Sequence, residues 1–226
     1  MKIDLFKKAL LSAMLVLGSS SAAFAGTGDI ALGIKGGTAG IGGDVTIGLI
    51  PAVNIRSGYN AFNYSGNASK SDISYDYKLK LKSIPVLLDW HPFAKSGFRL
   101  SSGIFFNSNE ITATGKSQSS YKIGDTTYTP GELGTLTGKI DFNKTAPYAG
   151  FGWGNAVGNH GPITLSFDLG VIFQGTPNVS LAASNQAIYG VPGFQSNLDK
   201  EVASIKNTTD DIKYYPVISV GLAYQF

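Results

Sequence analysis

The last nine residues of the chain alternate without interruption. Ile218, Val220, Leu222, Tyr224 and Phe226 fall on one face, and Ser219, Gly221, Ala223 and Gln225 on the other. A period of two means a β-strand whose faces meet different surroundings. Leu165, Phe167, Leu169, Val171 and Phe173 repeat it against Thr164, Ser166, Asp168 and Gly170. So do Val45, Ile47 and Leu49 against Asp44, Thr46 and Gly48, and Val53, Ile55 and Tyr59 against Asn54, Arg56, Gly58 and Asn60. Each time one face is large and apolar while the other is small, polar or charged.

In a soluble barrel the apolar face would point inward, and the small polar face cannot fill a core. In a barrel set in lipid the apolar face points outward and the small face packs inside. The pattern therefore predicts an all-β fold, a closed antiparallel transmembrane β-barrel of about eight strands. They fall near 29–37, 42–50, 53–63, 75–90, 98–114, 138–154, 163–173 and 213–226. Eight is the smallest size usual for such barrels, and glycine and serine on the inner face suit its narrow interior. Past residue 25 the run Ile84-Pro85-Val86-Leu87-Leu88 is among the longest apolar stretches and Asp89 ends it, which excludes membrane-spanning helices. Short connectors at 51–52, 91–97 and 155–162 alternate with longer polar ones at 64–74, 115–137 and 174–212. Short turns on the periplasmic side and long loops outside put both termini in the periplasm. In the last outer loop 197–211 has helical spacing, with Asn197 as cap and Leu198, Val202 and Ile205 as an apolar stripe.

The first 25 residues read as an export signal. Lys2, Lys7 and Lys8 precede a short apolar stretch, and Ala23-Phe24-Ala25 supplies the small-x-small cleavage site of a signal peptidase. Cleavage after Ala25 leaves 26–226 as the barrel, delivered through the Sec translocon. The formal charge is +3, and the three lysines and Asp4 of the signal account for two of those charges. A near-neutral mature chain argues against nucleic acid as a partner. With no cysteine in the chain, disulfides contribute nothing to its stability.

Ser219, Gly221, Tyr224 and Phe226 stand at the polar, glycine, aromatic and terminal-aromatic positions of the outer-membrane assembly signal. This resemblance implies recognition by the barrel assembly machinery through strand addition. The mature chain also resembles small, poorly characterised outer-membrane barrel proteins of proteobacteria. The resemblance rests on Leu88-Asp89-Trp90-His91-Pro92-Phe93, on Tyr148-Ala149-Gly150-Phe151-Gly152-Trp153-Gly154-Asn155, and on Asp168-Leu169-Gly170-Val171-Ile172-Phe173-Gln174-Gly175. More loosely the chain is similar in size and plan to the OmpA, OmpX and OmpW barrels. It implies an outer-membrane location, with lipid and lipopolysaccharide as surroundings, and no particular activity.

Enzymes among the small outer-membrane barrels resemble one another in placing a histidine beside a serine or acid at the outer side. The two histidines here, His91 and His160, fall in turns of the opposite side, so no catalytic activity is expected. Their separation and the lack of cysteine argue against a zinc site. Scattered loop carboxylates (Asp72, Asp76, Asp125, Glu132, Asp210 and Asp211) lack calcium-loop spacing, so neither metal nor cofactor is expected. Lys35, Arg56, Lys78, Lys80, Lys82 and Arg99 are candidate lumen charges, with Asp89 and Asp168. For strand 75–90 this requires a slip of the pleat near Pro85; with Lys78, Lys80 and Lys82 outward instead, they could touch lipopolysaccharide phosphates. Two roles stay open: a paired network that plugs the lumen of an envelope-structural or loop-acting protein, or a cationic constriction in a small OmpW-like channel for ions or apolar solutes.

Overall fold

The computed structural model describes residues 27–70, 73–93, 96–117, 120–158 and 161–226. The export segment with Ala23 and Ala25, together with Asp72 and His160, lies outside the described residues.

Thirteen strands form: β1 (Ile30–Gly37), β2 (Gly40–Ile50), β3 (Val53–Lys70), β4 (Ile73–Trp90), β5 (Phe98–Asn107), β6 (Glu110–Ser117), β7 (Tyr121–Ile123), β8 (Thr126–Tyr128), β9 (Leu136–Asp141), β10 (Thr145–Trp153), β11 (Ile163–Phe173), β12 (Asn178–Ala183) and β13 (Tyr214–Gln225). Eight of them, β1, β2, β3, β4, β5, β10, β11 and β13, pair antiparallel in a ring. The last strand completes it, Ile34 of β1 lying opposite Leu222 and Leu165 of β11 opposite the same residue.

The eight ring strands match the expected number, but five more stand outside the ring. Strands expected at 98–114 and 138–154 are each broken, at Ser108-Asn109 and at Phe142 to Lys144. At each break the chain changes partner. β5 pairs β4 and β10, whereas β6 pairs β4 and β9. The loops expected to be long and polar largely form strands and helices. The β3–β4 hairpin runs on past the ring, and β6, β9 and β12 extend its sheet.

Above that sheet sit the β7–β8 hairpin, the helical turn α1 (Pro130–Leu133), and the helix α2 (Phe194–Thr208). Tyr121, Ile123, Tyr128, Leu133, Ala183, Ile188, Phe194 and Leu198 bury one another in an apolar core of their own. The ring thus carries a packed cap. α2 starts three residues earlier than expected and is capped by Gly193, in the left-handed region at φ 84°. Asn197 is already inside the helix, and its amide donates to Thr126 Oγ1 and Tyr128 Oη instead.

The alternation read from the sequence is the alternation observed. Val220, Leu222 and Tyr224 of β13 are exposed on the outer face, and Val217, Ser219 and Ala223 are buried inside. Ile34, Ile47, Leu88, Ile104, Phe151 and Phe167 continue the apolar exterior round the ring. Tight turns connect β1 to β2 and β2 to β3. Between β1 and β2, Gly40 adopts φ 105° and a Cβ there would stand 2.7 Å from the Ala61 carbonyl oxygen. The Pro51-Ala52 turn places Ala52 in the left-handed region at φ 68°, next to a bulge at Leu49.

Candidate functional site

The interior of the ring is held by four charged side chains from four strands. Arg56 on β3 projects across the lumen with Asp89 of β4 and Asp168 of β11 on either side, and Arg99 of β5 completes the group. The Arg56 guanidinium donates to Asp89 (Nε–Oδ2 2.8 Å, Nη2–Oδ1 3.1 Å) and to Asp168 (Nη1–Oδ2 and Nη2–Oδ1, both 3.1 Å). Arg99 donates to Asp168 Oδ1 at 2.7 Å and to the Gly154 carbonyl. Ser101 donates to Asp89 at 2.5 Å, and Ser219 to Asp168 at 3.3 Å. None of the four charged residues is more than 6% exposed. Two arginines against two aspartates leave no net charge, and planar guanidinium forks match carboxylates bidentately.

Layers of side chains close the lumen on both sides of this quartet. Toward the cap, Leu87, Phe105, Ala146, Tyr148, Ile172 and Val217 pack together. The Tyr148 ring lies over Gly150 and Gly170, where a Cβ would come within 2.4 Å of its hydroxyl. Farther along, Asn60 donates to Ser83 at 3.3 Å and Asn107 to Gln174 at 3.4 Å. Toward the end carrying the termini, Asn54 donates to Asn155 at 2.9 Å and lies 3.3 Å from His91 Nε2. Gln225 bridges Asp29 (2.9 Å) and the Gly158 amide (3.1 Å). Two voids of about 20 Å³ remain, one on each side of Arg56, each with room for a single water molecule.

Of the candidate lumen charges, Arg56, Arg99, Asp89 and Asp168 meet in the quartet. Lys35 also faces inward and pairs with Asp44 at 3.0 Å. Lys78, Lys80 and Lys82 do not join them. β4 keeps one unbroken register with β3, from Trp90 opposite Val53 to Ile73 opposite Lys70, so its pleat does not slip at Pro85. The three lysines share the outer face with Ile84, Val86, Leu88 and Trp90, and all three are exposed. The expectation that they line the lumen is corrected by that register.

The assembly-signal residues divide by face. Ser219 and Gly221 point inward, Ser219 onto Asp168, while Tyr224 and Phe226 point outward with ring centroids 5.2 Å apart. The aromatics divide too. Trp90 and Trp153 are outward at the end that carries the termini, whereas Phe142 is buried among the loops. His91 is buried at the lumen's end beside Asn54, and among the described residues no serine or carboxylate is hydrogen-bonded to its ring. Among the described residues, too, no group of three or more histidines or carboxylates is placed to hold a metal ion.

No protein-family model matches the chain, and no curated protein is significantly similar to it. Solved structures share its fold. It is similar to CarO2 of Acinetobacter baumannii, with a TM-score of 0.58 at 23% identity over 88% of this chain and 98% of that one. It is similar to CarO of the same organism at 0.55 and 20%, over 87% and 97%. A more distant likeness is to a major outer membrane protein of Thermus thermophilus, at 0.41 and 13%, over 87% and 99%. The architecture, an antiparallel ring of eight strands, is thus a fold this chain shares with the two CarO proteins.

Proposed function

We propose that the protein is an integral, non-enzymatic β-barrel of the Gram-negative outer membrane whose lumen is closed to solutes and which acts through its folded cap. Both termini lie in the periplasm and the cap stands outside the cell. The observation that carries this reading is the filled interior. The Arg56–Asp89–Arg99–Asp168 quartet spans the ring between two voids of about 20 Å³, too small for a hydrated ion to pass. A continuous row of cations, which an anion-selective constriction would need, is absent from the described interior, because Lys78, Lys80 and Lys82 point the other way.

An apolar exterior of this extent calls for lipid around it, and export and assembly follow from the signal segment and the β13 terminus. The cap's buried core makes it a rigid surface rather than a set of loose loops, suited to presenting a fixed shape to a partner. The test is single-channel recording of the refolded 26–226 protein in a planar bilayer, with insertion verified separately. Silence of the inserted protein is expected. Discrete openings would overturn the closed lumen and establish a small channel in its place.

A further inference from the structure

The outward lysines of β4 are left over by this account, and their position is specific. On one strand and one face, Trp90, Leu88, Val86 and Ile84 are followed by Lys82, Lys80 and Lys78 in the same pleat. Successive same-face residues are about 6.8 Å apart, so the row begins one such step beyond the apolar band. Lys82 Nζ stands 5.7 Å from the centre of the Tyr59 ring, an outward aromatic at that same level.

Apart from Glu110, the neighbours directly across the sheet are neutral. Lys80 lies opposite Asn63 on β3, and Lys78 lies between Ser65 on β3 and Thr112 on β6. The carboxylates on this face are occupied or remote. Glu110, opposite Lys80, is held by Lys139 at 2.9 Å, and Asp141 is 3.4 Å from that same amine. Asp76 comes one step past Lys78, on the side away from the apolar band. With Glu110 and Asp141 sharing Lys139, the row keeps an excess of positive charge next to the apolar band, and Asp76 lies beyond it. Ammonium groups serve as point charges for phosphate, and hydroxyl and amide neighbours supply further hydrogen bonds.

We infer that Lys78, Lys80 and Lys82, with Asn63, Ser65 and Thr112 beside them, form a binding site for the phosphorylated headgroup of an outer-leaflet lipid, docked against the outer face of β4. The inference rests on the outer-membrane reading above. Acyl chains lie along Ile84, Val86 and Leu88 while the phosphates meet the lysine row. The site fixes one side of the barrel, the side that bears the β6–β9–β12 extension, against the lipid surface.

The test uses the refolded 26–226 protein and mixed micelles of a neutral detergent with bisphosphorylated or dephosphorylated lipid A. The wild type binds the bisphosphorylated lipid more tightly, and K78Q/K80Q/K82Q weakens it by about tenfold or more, given roughly fivefold for each lysine near an anionic surface. K78R/K80R/K82R retains the charge and the binding, which guards against a folding defect in the glutamine variant. K122Q/K200Q/K206Q removes equal charge from the cap and leaves binding unchanged. Equal affinity of wild type and K78Q/K80Q/K82Q overturns the site, as does competition by millimolar inorganic phosphate, which would mark a free-anion site. Bilayer integration of the same preparations is scored separately. A wild type that fails to integrate refutes the outer-membrane reading itself, whereas an integrated wild type without phosphate preference refutes only the headgroup site.

Discussion

Arg56 and Asp168, 112 residues apart in sequence, face each other across the lumen through two parallel N–H···O bonds of 3.1 Å. Their strands, β3 and β11, are not neighbours in the ring, so this contact ties opposite walls together. A buried guanidinium is tolerable only when its donors are met; two carboxylates meet those of Arg56, while Arg99 is held by Asp168 and the Gly154 carbonyl with its Nε 3.9 Å from Asp89.

Removing one partner should therefore cost more than removing a pair. D168N leaves two buried arginines with only Asp89, and we expect a loss of about 3 kcal/mol or more in the free energy of unfolding. The double variant R56M/D168L keeps one arginine with one aspartate and should recover at least half of that loss. Urea-induced unfolding in lipid vesicles measures both. A D168N protein as stable as the wild type would show that the quartet is not what braces the lumen.

Lipid on the outer face makes a distinct prediction for Val220, which is 53% exposed in mid-strand β13. V220R should destabilise the folded protein by about 2–4 kcal/mol, the cost of a cation near the centre of a bilayer. On a surface facing water the same change would shift stability by no more than about 0.5 kcal/mol. Unfolding titrations of the two proteins in vesicles separate these outcomes.

The cap should be separable from the ring in stability. Phe194 is fully buried, with its ring edge-on to Tyr128 (5.3 Å between centroids) and Tyr189 (5.2 Å). F194A should lower cap stability by about 3–5 kcal/mol through the cavity it leaves. Limited proteolysis should then cut within 174–213 much faster, while the heat-modifiable migration of the barrel stays as in the wild type. Loss of that migration would mean that cap and ring fold as one unit.

The sequence exposed the ring clearly because its strands obey one rule, apolar outward and small or polar inward, along their whole length. The alternations of β13 and β11 are found as read. Arg56, Arg99, Asp89 and Asp168 could likewise be placed inside, since each sits on the polar face of such a strand. Their convergence on one level of the lumen depends on the stagger between non-adjacent strands, which no local pattern encodes.

β4 shows where the rule ends. Near Ile84, Val86 and Leu88 the outer face is apolar, but farther along the same face carries Lys82, Lys80 and Lys78, while Leu81 and Leu79 turn to the inner side. The pleat is continuous. On the outer-membrane reading, what changes is the medium, from lipid to water, and with it the kind of residue each face demands. Reading polarity as direction thus suggested a slip at Pro85 that the register does not have. For the same reason β7, β8 and β12 looked like polar loops, while most of β6 and β9 was read as a continuation of ring strands. Among the described residues of these sheet strands, only Leu136 of β9 and Leu181 and Ala183 of β12 reach the cap core, and the short alternations of β6 and β9 are set off from the ring by changes of partner at Ser108-Asn109 and Phe142 to Lys144.

The claim on which the rest depends is that the apolar exterior of the ring meets lipid, and the chain's two tryptophans report on it directly. Trp90 and Trp153 are 52% and 57% exposed on that exterior, near the end that carries the termini. The measurement is fluorescence quenching of W90F and W153F, each with a single tryptophan, in vesicles of phosphatidylcholine brominated at shallow or deep acyl carbons. Strong quenching of both, greater from the shallow bromines than from the deep ones, is the predicted result. Emission that no brominated lipid quenches, from folded protein that stays with the vesicles, would contradict the account.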